Sequence, residues 1–152
     1  MSDTSRGHVT PIEILLVEDN PGDVRLTREA LSEAKVQNRL SVAATGREAL
    51  EHLGLDGDAG DGEGAHPDLV LLDLNLPDMS GHDILARIKE SPGLREIPVV
   101  ILTSSEAEED VARGYRGHAN AYVTKPVDLD GLARIVRSID GFWFSVVRLP
   151  GR

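Results

Sequence analysis

Five short apolar runs, each followed by a stretch with helical spacing, restrict the fold of this chain more than any other feature. The runs are IEILLV (12 to 17), LSVAAT (40 to 45), DLVLLD (68 to 73), IPVVILT (97 to 103) and NAYVT (120 to 124). Between them lie NPGDVRLTREALSEA (20 to 34), with Val24, Thr27, Leu31 and Ala34 on one face, GREALEHL (46 to 53), and SGHDILARIKE (80 to 90), with Ile84, Leu85 and Ile88 inward. EAEEDVARGYRG (106 to 117) and DLDGLARIVRSI (128 to 139) complete the series. Strands that are apolar rather than alternating are buried on both faces, so the predicted fold is α/β, a doubly wound, five-stranded parallel sheet with helices on both sides. The glycine-rich, acidic GLDGDAGDGEGAH (54 to 66) has no apolar periodicity and reads as a surface loop; it lacks the ligand order of a calcium-binding helix-loop-helix.

A chain of 152 residues fits one domain and is long enough to bury a core. Its formal charge of −10, from 26 acidic and 16 basic residues, repels a phosphate backbone and argues against a nucleic-acid partner. The absence of cysteine removes disulfides and thiolate metal sites from consideration. No apolar run approaches membrane-span length and the start MSDTSRGHVTPIE lacks a signal-peptide core, so a cytoplasmic location without membrane contact is expected. Only three of the basic residues are lysine, a bias that a salt-rich cytoplasm and high-GC codon usage explain equally well.

In sheets of this kind ligands bind beyond the carboxyl ends of the strands. Glu18 and Asp19 follow the first run, Asp73 ends the third, Thr103 the fourth, and Lys125 follows the fifth. Each alone has an ordinary explanation as a cap, a turn residue or a solvated charge. Together they place three carboxylates on one edge, where mutual repulsion favours a neutralising cation. With oxygen ligands only, that cation is expected to be Mg²⁺ or Mn²⁺ rather than zinc. Lys125 and Thr103 add an ammonium and a hydroxyl donor to the same edge. Pro77 and Gly81 turn the chain away and leave Asp73 accessible.

The set LLVEDN, LLDLNLP, ILTSS and AYVTKP resembles the receiver domain of two-component response regulators over about residues 12–139. That resemblance implies a flavodoxin-like fold, with Asp73 as phosphoacceptor for a sensor histidine kinase. It also implies Mg²⁺ held by Asp19, Asp73 and the backbone carbonyl of Asn75, with Glu18 joining through water. Thr103 and Tyr122 would form the switch, and Lys125-Pro126 a cis peptide. Ser105 and Asn75 occupy positions that modulate acyl-phosphate lifetime in the family. Tyr122 is equally well read as an ordinary half-buried strand tyrosine. Many receivers carry two aspartates where this chain has Glu18-Asp19, a change compatible with a water-mediated role.

Residues 140–152, DGFWFSVVRLPGR, are too short for an output domain, and none is expected. Phe142, Trp143 and Phe144 cannot all face inward from one helix, because neighbours point about 100° apart. This tail, the NPGDVRL start and the long loop before PDLVLLDLNLP resemble the stand-alone regulators of bacteriophytochromes, of the cyanobacterial-phytochrome type. A homodimer using the last strand, the helices and the tail follows, with a bacteriophytochrome-like kinase as partner. Two further readings stay open. One is a Mg²⁺-dependent phosphatase, disfavoured because DLN lacks a second aspartate as general acid and no cap insertion encloses a substrate. The other is a receiver-like scaffold that is no longer phosphorylated.

Overall fold

A computed structural model describes residues 11–33, 37–56, 64–104, 119 and 121–125. Five strands, β1 (Ile12–Val17), β2 (Asn38–Ala43), β3 (Leu69–Asp73), β4 (Val99–Thr103) and β5 (Ala121–Thr124), form one parallel sheet in the order β2-β1-β3-β4-β5. Three helices are described: α1 (Pro21–Glu33), α2 (Gly46–Leu53) and α3 (Gly81–Glu90). The expected helices over 106–117 and 128–139, the tail with Phe142, Trp143 and Phe144, and Pro126 lie outside the described residues.

The sheet is covered from both sides, as its uniformly apolar strands require. β3 and β4 are buried at every position. On one face Leu15, Val17, Val70, Leu72, Val99 and Ile101 pack against Ala49, Leu50 and Leu53 of α2 and Ile84, Leu85 and Ile88 of α3. On the other, Ile14, Leu16, Leu69, Leu71, Val100 and Leu102 pack against Ala30 and Leu31 of α1. Burying such side chains contributes about 1.5–3 kcal/mol each, and this pins which way each strand faces.

Local chemistry sets the helix ends. Thr45 caps α2 by accepting from Glu48 N at 3.0 Å, while Glu48 reaches back to accept from Ala44 N at 2.9 Å. Gly54 ends the helix in the left-handed region, φ 76°, where a side chain is disfavoured. Ser80 caps α3 by accepting from His82 N. Asp78, in the loop after β3, adds a second clamp on α2, its two oxygens accepting from Gly46 N and Arg47 N at 2.8 and 2.9 Å. Those two backbone bonds hold its carboxyl below the usual range.

Sheet order reverses at β1, with β2 on one side and β3 on the other. The crevice beyond the carboxyl ends of β1 and β3 is therefore the position where a doubly wound sheet presents a ligand site.

Candidate functional site

β1 and β3 run side by side, Val17 opposite Leu72. That register brings Glu18 and Asp19 to the rim that Asp73 occupies at the end of β3. One carboxylate oxygen from each of Glu18, Asp19 and Asp73 lies within 4.8 Å of the others. Glu18 and Asp73 are buried, so Asp73 is not left accessible as the turn at Pro77 and Gly81 suggests, whereas Asp19 is exposed. Asp73 is itself anchored, its Oδ1 accepting from Asn75 N at 3.1 Å.

Lys125, one residue past β5, delivers its ammonium into the same group. Its Nζ lies 2.9 Å from Glu18 Oε1, 2.9 Å from Asp23 Oδ2 and 3.2 Å from Asp73 Oδ2. The lysine backbone is fixed by its own N–H, which donates to Thr103 O at 2.6 Å. Burial alone would lower the Lys125 pKa, but the carboxylates of Glu18, Asp23 and Asp73 outweigh it and raise the ammonium well above its ordinary value. Glu18 moves the other way for an acid. Burial, with the Asp73 charge added, raises it from 4.5 to about 7 against the pull of Lys125. Three carboxylates, two of them buried, therefore share the single Lys125 ammonium.

The residues fit a divalent cation. The donor set is all oxygen, the three carboxylates are close enough to share one ion, and buried Glu18 Oε1 meets Lys125 without forming a directed hydrogen bond. Glu18 Oε2 already accepts from Asn20 N at 3.1 Å, which leaves Oε1 as the oxygen turned to the group.

Thr103 is fully buried at the end of β4, beside β3 in the register Asp73 to Leu102. Its Oγ1 donates to Val123 O across a long 3.5 Å, so the hydroxyl faces β5 through a weak bond. Tyr122 pairs with Ile101, two residues before Thr103, and therefore shares Thr103's face of the sheet; it is half-buried against the α2 and α3 core. Asn75 Nδ2 donates to Ser104 Oγ at 3.2 Å, linking the β3 and β4 loops beside Asp73.

Glu18, Asp19, Asp73, Thr103 and Lys125, expected from strand ends, thus do assemble at one edge. Asp23 and Ser104 were not singled out. Asp23 carries the ordinary signature of a first-turn helix acid, and Ser104 is one of two adjacent serines after β4 with nothing in the sequence to set it apart.

The family described as the response regulator receiver domain matches residues 14–137. Response regulator Rcp1 of Synechocystis sp. is 41% identical over 150 residues, 99% of each chain. The solved Mn²⁺-bound form of Rcp1 superposes with a TM-score of 0.68 at 41% identity, covering 88% of this chain and 94% of that one. The bacteriophytochrome response regulator AtBRR reaches a TM-score of 0.74 at 42% identity, over 89% and 96%. The phosphorylated cyanobacterial phytochrome response regulator RcpA reaches 0.70 at 42%, over 90% and 96%. Among the described residues no helix is long and apolar enough to cross a membrane.

Proposed function

Because this chain belongs to the response regulator receiver domain family, we propose that Asp73 is its phosphoacceptor, loaded from a histidine of a sensor kinase in a Mg²⁺-dependent step. The observation that carries the reading is the seat of Asp73, buried at the end of β3, grouped with Glu18 and Asp19, and 3.2 Å from the Lys125 ammonium.

In the transfer, an Asp73 oxygen attacks phosphorus in line. A P–O bond forms as the P–N bond to imidazole breaks, and the bonding pair leaves with the nitrogen. Glu18, Asp19, Asp73 and the Asn75 carbonyl would hold the cation, which when bound neutralises phosphoryl oxygens. Lys125 follows its charge from Asp73 to a phosphoryl oxygen. Thr103 gives up its long bond to Val123 O and turns its hydroxyl to the same group, and Tyr122, on the same sheet face, moves into the vacated space. Hydrolysis by water later returns Asp73 to its carboxylate, at a rate set partly by Asn75 and Ser105. The protein is thus a relay that supplies groups for its own loading and unloading.

The kinase partner is of the bacteriophytochrome type, a reading supported by the names of structures 42% identical to this chain. The reading includes a homodimer contact involving β5, the segments 106–117 and 128–139, and Phe142, Trp143 and Phe144, and sedimentation reports whether phosphorylation changes it. Mass spectrometry after incubation with acetyl phosphate and Mg²⁺, beside Asp73→Asn, tests the core claim, with sedimentation on the same samples. A phosphoryl mass gain confined to wild type is expected. No gain at any Mg²⁺ concentration would leave the scaffold reading in its place, and steady turnover of a generic phosphoester would favour the phosphatase.

A further inference from the structure

Asp23 sits in the first turn of α1, away from every strand end and outside the three carboxylates close enough to share a cation. Its Oδ2 is nevertheless 2.9 Å from Lys125 Nζ, as close as Glu18 and closer than Asp73. The two side chains are sheltered, 15% exposed for Lys125 and 21% for Asp23. The Asp23 backbone is held on both sides: its N–H donates to Asn20 Oδ1 at 3.0 Å, and its carbonyl accepts from buried Thr27 Oγ1 at 2.9 Å.

We propose that Asp23 is a positioning residue for phosphoryl transfer, holding the Lys125 ammonium beside Asp73 once a divalent cation has engaged Glu18 and Asp73. The inference rests on Asp73 being the phosphoacceptor. A cation at Glu18, Asp19 and Asp73 draws on the oxygens that otherwise neutralise Lys125, and it repels the ammonium directly. Asp23 contributes nothing to that group, so it remains as counter-charge for the lysine when the others are taken. Lysine is a point charge on a flexible stem, costly to order without such a partner. Asp23 supplies one from a helix turn that the metal does not touch.

The rate of phosphorylation by acetyl phosphate, followed by intact mass in wild type, Asp23→Asn, Asp23→Glu and Asp73→Asn as Mg²⁺ is raised to saturation, tests the inference. Asp23→Asn is expected to be slower at saturating Mg²⁺ by up to about a hundredfold, the loss that a misplacement of about 1 Å can bring. Asp23→Glu, which keeps the charge, should recover most of that rate. Because a first-turn acid also stabilises the helix N-terminus and Glu would restore that too, urea unfolding of both variants is run alongside, and a rate deficit that merely tracks lost stability overturns the inference. An Asp23→Asn rate equal to wild type, a deficit that disappears with more Mg²⁺, or an equal deficit in Asp23→Glu overturns the inference. Wild type that gains no phosphoryl mass overturns the phosphoacceptor reading, and this inference with it. Wild type that is loaded while Asp23→Asn keeps pace overturns the inference alone.

Discussion

Glu18 is held in a protonation state that the unfolded chain does not share. Burial raises its carboxyl from 4.5 to about 7, so between those values the folded chain keeps a proton that the unfolded chain has released. The stabilising contribution is full below pH 4.5 and is lost as pH rises through about 7. With divalent cations chelated, thermal unfolding of wild type should lose ground across that window relative to Glu18→Gln, whose side chain does not titrate. A flat difference between the two melting curves from pH 4.5 to 7.5 would refute the assignment. The burial that raises Glu18 was not legible in the sequence, where it reads as one of two adjacent acids after an apolar run. What was legible was placement: Glu18, Asp19, Asp73, Thr103 and Lys125 stand at strand ends, and a parallel sheet collects strand ends at one rim. Asp23 escaped because its partner is brought to it by the fold, not by sequence neighbourhood.

Among the elements, the junction of β3 and α3 leaves no room for a side chain beside the site. A Cβ at Gly81 would lie 2.5 Å from Asp73 O and 2.9 Å from Leu74 Cα, both backbone atoms with no freedom to step aside. Glycine here lets the start of α3 rest on the peptide that carries Asp73. Gly81→Ala is expected to destabilise the domain by about 1–3 kcal/mol, the usual range for overpacking, and to slow loading of Asp73 by shifting its backbone. Urea unfolding and acetyl-phosphate labelling of the same variant check the two effects. Where an element's ends depend on local chemistry, its extent could be read directly: β1 runs 12–17 and α2 runs 46–53, as the apolar run and the Thr45 cap dictate. β2 could not. Expected at 40–45, it spans Asn38–Ala43, because pairing of Ile12 with Asn38 and Glu13 with Arg39 recruits two polar residues that carry no strand signal of their own. β4 is likewise shorter than expected, its register with β3 starting at Val99 although Pro98 O already accepts from Val70 N. Tertiary pairing, not propensity, decided both.

At the scale of the whole molecule, ten excess negative charges act on a small domain. Their mutual repulsion favours expansion, and mobile ions screen it. Melting temperature at neutral pH in chelator should therefore rise as NaCl goes from about 0.05 to about 0.5 M, where the screening length shortens severalfold. A salt-independent melting temperature would mean that the charges are already paired off locally, as Lys125 pairs off three of them. The sheet itself divides labour. Its interior is an apolar slab between two helix layers, and its polar chemistry is confined to one rim, so the site can be altered without repacking the slab.

Asp78 gives that rim a mechanical extension. By accepting from two consecutive amides of α2, it ties the loop that follows Asp73 to the head of the helix. Any shift of that loop must stretch both links or carry the head of α2 along with it.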